Sequence, residues 1–493
     1  MNFSNSTTDK TERLRNTKEL ASQWDLLDWN QIEKDVNRLQ SRIAKATRNG
    51  DKNKVKRLQY LLTHSFSAKA YAVRKVTTNK GKNTSGVDKK LWSTSASKMK
   101  AILQLNKKYY RAKALRRVYI EKKNSNKKRP LGIPTMYDRG MQTLYALALE
   151  PIAETTADTV SFGFRRGRSA KDACEQIFCV LARKCSPQWI LEGDIKGCFD
   201  NINHEWLLAN IPMDKRIMKQ FLKAGFVYKG NLFPTESGSP QGGAISSIYA
   251  NMTLDGLEKL IQEKYHRNSK GKLENHYRAK TKVNLIRYAD DFIITAKTKE
   301  IAEELKLLVQ KFLSDRGLEL SQEKTMITHI DSGFDFLGWT FRKYTGKLII
   351  KPSKDSIKRI VRTLSTMILK EGKASTQVDL IRRLNQVIRG WTNYHKHTVA
   401  SKAFSTVNNT LYLLLQRWAK HRHPNKSSYW RLNKYWHSQG YKRWLFMTDS
   451  NALINLRTIH IVRHPKLQLS KNPFLNPKYF KIRKLKLHAL VTA

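Results

Sequence analysis

Acidic residues are scarce in this chain: 40 Asp and Glu stand against 93 Lys and Arg in 493 residues, a formal charge of +53. A surplus of that size calls for a polyanionic partner and argues against an ordinary small-molecule enzyme. Long apolar runs are missing too. Nothing reaches the roughly 18 apolar residues that a bilayer-spanning helix needs, so no membrane partner is expected. The opening MNFSNSTTDK carries no apolar signal core, so export is not expected either. Cysteine is confined to Cys174, Cys179, Cys185 and Cys198, with no C-x-x-C pair and no histidine at ligand spacing. This argues against a zinc site and a disulfide framework, and it fits free thiols in a reducing compartment. Hydrophobic residues (40%) and aromatics (10%) are plentiful enough to build cores, so the chain is not a disordered basic tail. At roughly 100–200 residues per domain, its length fits two to four domains.

Residues 1–20 are polar. From Trp24 the pattern changes: Trp29, Ile32, Val36, Leu39 and Ile43 recur at helical spacing until Asn49-Gly50. A second helix is expected over about 54–76, with Val55, Leu58, Leu62 and Ala72 on one face, and KVTTNKGKNTSGVDKK after it reads as a loop. Residues 81–345 mix short strand-like runs with helices, as in an α+β body. RRVYIEKKNSNKKRPLGIP reads as a hairpin, and VNLIRYADDFIITAKT is an apolar run broken by two aspartates. Beyond about 350 strand signals fade and basic amphipathic helices follow. The last 93 residues hold 18 Lys or Arg against one acid, Asp449. Trp418, Trp430, Trp436 and Trp444 lie among them, most of them expected in the core of a small helical domain. The basic charge around them suits nucleic acid.

Tyr288-Ala289-Asp290-Asp291 is the strongest local signal. Adjacent carboxylates in a strand repel each other and resist burial, and a divalent metal makes the arrangement sensible. In a tight hairpin, alternation aims the first aspartate at the metal and the second partly away. Upstream, ILEGDIKGCFDNI ends another apolar run at Asp194, with Asp200 following. Asp194 and Asp290 together would hold two Mg²⁺ ions, which take hard oxygen ligands and keep water or phosphate in the shell. Such a pair clamps the attacking and leaving oxygens of an in-line phosphoryl transfer.

With these residues in this order, the chain resembles the group II intron-encoded reverse transcriptase/maturase family, from about Trp24 to the C-terminus. The resemblance implies an α+β right-hand polymerase. It would have a helical N-terminal extension (1–80), fingers and palm (81–345), a helical thumb or maturase domain (346–435) and a small basic DNA-binding region (436–493). By the same resemblance Asp194, Asp290 and Asp291 are catalytic, and Asp194, Ile195 and Asp290 hold the metal. Phe199 matches the bulky position that blocks a ribose 2′-hydroxyl and so selects dNTPs. The segment Lys127-Lys128-Arg129-Pro130-Leu131-Gly132-Ile133-Pro134 resembles the fingers block that meets the triphosphate, with Lys128 and Arg129 offsetting its charge. SFGFRRGRS (161–169) resembles the next block, where Arg165, Arg166 and Arg168 would meet nucleic-acid phosphate. The P-Q-G element supplies Pro240 and Gly242 against the template and Gln241 against the nucleotide. In GLELSQEKT (317–325), Lys324 would lie near the triphosphate and could donate a proton to pyrophosphate. Phe336-Leu337-Gly338-Trp339 resembles the primer-grip block. Ile388-Arg389-Gly390-Trp391-Thr392-Asn393-Tyr394-His395 is the telling thumb stretch, with Arg389, Trp391 and Tyr394 as nucleic-acid contacts.

In one respect the chain departs from many relatives. No cysteine follows Cys198, and His460, His464 and His488 are scattered and expected at the surface. No H-N-H endonuclease is therefore expected, and priming would use a nick or nascent strand made elsewhere. The implied partners are group II intron RNA, target DNA and dNTPs, with no membrane; a homodimer is compatible. The implied setting is a bacterial cytoplasmic, nucleoid-associated ribonucleoprotein. A non-enzymatic RNA-binding splicing factor and a reverse transcriptase of another bacterial system are the competing readings.

Overall fold

The computed structural model describes residues 16–108, 110–121, 128–240, 242–268, 270–274, 279–439 and 442–492. The polar start, Lys127 and Gln241 lie partly or wholly outside them. Asp28 caps α1 (Trp29–Arg48) by accepting from the Asn30 and Gln31 amides, and Ile32, Val36 and Ile43 form its buried face. Where one helix over 54–76 is expected, the chain makes two, α2 (Lys52–His64) and α3 (Phe66–Thr78). Ser65 divides them: it ends α2, and its hydroxyl accepts from the Ala68 amide to start α3. After α4 (Ser95–Gln104), β1 (Leu115–Glu121) and β2 (Lys128–Ile133) form the expected antiparallel hairpin.

Next comes α5 (Met136–Thr156), buried on nearly every side, against which α1 and α3 pack. Helix α6 (Ala170–Leu181) leads to β3 (Trp189–Gly193). Three short helices, α7 (Cys198–Asn201), α8 (His204–Asn210) and α9 (Lys215–Leu222), precede β4 (Phe226–Tyr228) and β5 (Asn231–Phe233). Then follow α10 (Ser246–Leu254), α11 (Leu257–Tyr265), β6 (Asn284–Tyr288), β7 (Asp291–Ala296), α12 (Lys299–Ser314) and β8 (Met326–His329). Two four-stranded sheets result, ordered β2-β1-β4-β5 and β6-β7-β3-β8. The second is antiparallel throughout and places β3 beside β7, which brings the two aspartate segments to one end of these central strands. This is an α+β body.

A third sheet, β9 (Phe334–Phe336), β10 (Trp339–Tyr344) and β11 (Lys347–Pro352), closes the first core. A second core is built from α13 (Lys354–Thr366), α14 (Gln377–His395), α15 (Ser401–Arg422) and α16 (Ser428–Tyr435). Here the expectation of helices alone needs correcting. A hairpin, β12 (Trp436–Gln439) with β13 (Lys442–Phe446), pairs antiparallel, and Trp436 and Phe446 join Trp418 in that core. Trp444 is exposed, and Trp430 is half-buried between Lys426 and Lys434. The chain then returns to the first core, where Leu467 is buried and Tyr479 and Phe480 of α17 (Pro477–Thr492) pack on it. His464, expected at the surface, is buried there because Asp172 accepts from it at 2.9 Å. All four cysteines are free, and among the described residues no helix is long and apolar enough to cross a membrane.

Candidate active site

Asp194 follows directly on β3. Its carbonyl accepts from the Ser321 amide at 2.8 Å, and the Lys196 amide donates to the Glu319 carbonyl at 2.9 Å. These neighbours make the bridge between Ile195 and Leu320, so the Ile195 carbonyl itself points away from the pair. On the adjoining hairpin Tyr288 pairs with Asp291, leaving Ala289 and Asp290 as a two-residue turn. Ala289 takes a φ of 59°, the positive value that tight hairpin turns ask of their first central residue. The turn is cradled from outside. Phe162 donates to the Arg287 carbonyl at 2.8 Å, Arg287 donates to that of Val160 at 3.0 Å, and Asn251 holds the Gly163 carbonyl at 2.9 Å. Gly163 faces the Ala289 amide so closely that any side chain there would overlap it.

The charge of Asp194 opposes ionisation of both Asp290 and Asp291. Burial, then the charges of Asp290 and Asp194, push the Asp291 carboxyl up to about 6 against the pull of Lys324, although Asp291 keeps access to solvent. Burial likewise raises Asp290, with Asp194 adding to it and its own amide, Arg129 and Lys324 opposing. Lys324 Nζ meets Asp194 Oδ2 at 3.0 Å. A crowded acid set of this kind is relieved by a hard cation, so the residues fit Mg²⁺. Among the described residues no three carboxylate, histidine or cysteine side chains form a complete cage. Mg²⁺ takes one or two protein carboxylates and completes its shell with water and substrate phosphate.

Lys128 and Arg129 occupy successive positions of β2 and so face opposite sides of the hairpin. Arg129 is on the side whose charge reaches Asp290, while Lys128 shares its face with Pro130 and Gly132. Phe199 is half-buried and meets the exposed Phe164 ring edge-on at 6.2 Å. The loop before α10 is tied to the same place: the Ser239 amide donates to the Phe199 carbonyl at 2.6 Å, and Gln142 Oε1 accepts from Ala244 at 3.0 Å. Pro240 is half-buried there, and the exposed Gly242 backbone lies against Gly132. Phe199, Pro240, Arg117 and Ser239 line a cavity of about 290 Å³. Within it the Arg117 Nε and Ser239 Oγ atoms are shielded from solvent with no hydrogen-bond partner among the described residues.

Comparison with known proteins finds the chain's family. Residues 120–341 match the reverse transcriptase (RNA-dependent DNA polymerase) family, 24–105 the N-terminal domain of reverse transcriptase, and 357–436 the group II intron maturase-specific domain. The group II intron-encoded protein LtrA of Lactococcus lactis subsp. cremoris is 33% identical, over 72% of this chain and 72% of its own. The chain belongs to the group II intron-encoded reverse transcriptase/maturase family. Protein YkfC of Escherichia coli K12 is 30% identical over 67% of this chain and 92% of its own. A solved Candida albicans telomerase, bound to a fragment of telomeric RNA, overlaps 66% of this chain and 64% of its own at a TM-score of 0.37 and 13% identity, too loosely to carry any argument. This group II intron reverse transcriptase/maturase is thus an RNA-directed DNA polymerase that also serves splicing.

Its arginine block needs correcting. Arg165 does not reach outward: its guanidinium pairs with Glu154 at 2.9 Å, both side chains at 5% exposure or less. Arg168 turns inward to the carbonyls of Ser161 at 3.0 Å and Leu469 at 3.3 Å, and burial lowers it to about 10. Both brace the cradle. Arg166 alone of the three is exposed, over the Phe474 ring. In α14, Arg389 is exposed, whereas Trp391 donates to Ser356 Oγ at 3.2 Å. Tyr394 stacks on Trp339 at 4.5 Å and donates to the Leu337 carbonyl, so those two rings face the junction of the cores. Three contributors escaped the sequence reading. Phe164 sits inside the SFGFRRGRS block, whose arginines are the residues that suggest nucleic acid. Gln142 and Asn251 lie on helices with no motif to mark them.

Proposed function

We propose that Asp194, Asp290 and Asp291 are the catalytic carboxylates with which this family member copies group II intron RNA into DNA during retrohoming. The observation that carries it is the convergence of three mutually repelling carboxylates with Lys324 and Arg129, from segments far apart in sequence. Asp194, Asp290 and the Ile195 carbonyl would hold two Mg²⁺ ions. When bound, they supply charge neutralisation at the attacking hydroxyl and the leaving pyrophosphate. Asp291, its proton affinity raised, supports the turn and its field. Lys324, now on Asp194, is placed to exchange that carboxylate for a phosphate and to give pyrophosphate a proton. Arg129 takes the triphosphate from the other side, Lys128 and Gln241 add contacts, and Phe199 excludes a 2′-hydroxyl. The cavity beside Phe199 and Pro240 takes part of the nucleotide or template.

In this reading residues 81–345 are fingers and palm, 346–435 a thumb whose Arg389 and neighbours hold RNA, and 436–493 a region that meets target DNA. The same basic surface stabilises the folded intron for splicing, in a cytoplasmic ribonucleoprotein near the nucleoid. Asp290→Ala is expected to abolish dNTP incorporation on an RNA template while leaving RNA binding and splicing in place. Undiminished polymerisation would remove the site assignment. Loss of splicing alone, with no polymerisation in the parent protein, would favour the splicing-factor reading.

A further inference from the structure

The last turns of the chain are spent on the back of the catalytic cradle. Asp172 Oδ2 accepts from the Ser169 amide and hydroxyl, both at 2.8 Å, and so fixes the start of α6. Its other oxygen, Oδ1, accepts from His464 Nε2 at 2.9 Å and from the Arg483 guanidinium of α17, all three side chains at 5% exposure or less. Burial opposes ionisation of Asp172, yet the His464 hydrogen bond and the Arg483 charge hold it below the usual carboxylate range. Nearby, the Phe480 ring fills the space where a side chain at Gly167 would stand, Phe474 lies under Arg166, and Asn472 reaches Thr155 Oγ1 at 3.1 Å. The Leu469 carbonyl takes Arg168, the residue that also braces Ser161. From Ser161 the path is short: Phe162 donates to the Arg287 carbonyl, Gly163 lies against Ala289, and Asp290 is next.

The geometry points to His464, Arg483 and Asp172 as positioning residues for polymerisation: residues 462–483 form a strap that sets the catalytic turn from behind. The inference rests on the carboxylate assignment above. It gives the inner face of a segment expected to bind DNA a different task.

Full-length protein is tested in single-turnover dNTP incorporation on a primed RNA template, at saturating dNTP and below the lowest melting temperature. The amplitude reports the folded, active fraction, and the rate constant reports the geometry of that fraction. Arg483→Ala and His464→Ala are expected to lower the rate constant by tenfold or more, since small displacements at reacting groups are costly. Primer–template affinity should stay within about twofold of the parent, because outward contacts are untouched. Arg483→Lys should recover part of the rate, and Leu26→Gln, exposed and outside the strap, should leave it unchanged. If Arg483→Ala does not fold, Phe480→Leu carries the test. A merely structural strap would lower amplitude and melting temperature while leaving the rate constant alone, and that result overturns the inference. A parallel fall in primer–template affinity and rate overturns it too, in favour of direct DNA contact. Asp290→Ala in the same assay separates the two failures: activity there sinks the site, whereas a dead Asp290→Ala with a normal Arg483→Ala sinks only the strap.

Discussion

Gly163→Ala places a methyl group where the catalytic turn runs. A Cβ at 163 overlaps the Ala289 amide nitrogen and lies 2.9 Å from both the Ala289 Cβ and the Tyr288 carbonyl carbon. Neither side yields easily, because Phe162 is bonded to Arg287 and Asn251 to the Gly163 carbonyl. Carbon atoms in contact prefer about 3.5–4.0 Å, so the turn must retreat by roughly 1 Å. Overpacking on this scale costs about 1–3 kcal/mol of stability, which a domain of this size survives. The same displacement at reacting groups costs on the order of 10²-fold in rate. The expected result is therefore a folded, RNA-binding protein whose single-turnover dNTP incorporation is about 100 times slower. Denaturant unfolding and primer extension, run on the same preparation, separate the two effects. An alanine variant that polymerises at the parent rate would refute the claim that Gly163 positions Asp290.

Removing the acid beneath the arginine block, by Glu154→Ala, leaves Arg165 buried without its partner and should cost about 3–5 kcal/mol in denaturant unfolding. A loss below about 1 kcal/mol would mean that water reaches Arg165. Phe199→Ala should admit ribonucleotides, read as a fall in the ratio of dNTP to NTP incorporation; an unchanged ratio would move the gate elsewhere. Acid should loosen the junction between the cores. Burial, then Lys171 and Arg359, lower His395 to about 3, and burial, Lys171 and His464 lower His397 to about 3. An unfolded histidine takes its proton near 6.5, so the unfolded state binds more protons between these values and stability falls as the pH drops through them. At pH 5.5 the loss is about 1.4 kcal/mol per histidine, and His395→Gln should remove its share of the pH dependence.

Local chemistry was legible in the sequence. The Tyr288–Asp291 turn and the β1–β2 hairpin are formed by strands close together in the chain, and alternation puts Lys128 and Arg129 on opposite faces. Carboxylate chemistry alone suggested joining Asp194 to Asp290, but nothing near either aspartate says that β3 pairs with β7. Arg165 and Arg168 misled for a physical reason: an arginine in a glycine-rich block looks the same whether it meets phosphate or an acid such as Glu154 eleven positions upstream. His464 was beyond reach, since its partner Asp172 lies 292 residues earlier.

That last separation has a consequence in time. A ribosome makes Asp290 about 170 residues before His464 and nearly 200 before Arg483, which at roughly 5–20 residues per second is a delay of some 10–40 s. The carboxylate turn is thus synthesised long before the residues that close its back. A nascent chain that does not yet carry His464 and Arg483 would hold its aspartates in an unfinished cradle, and the cradle would close only once those residues are made.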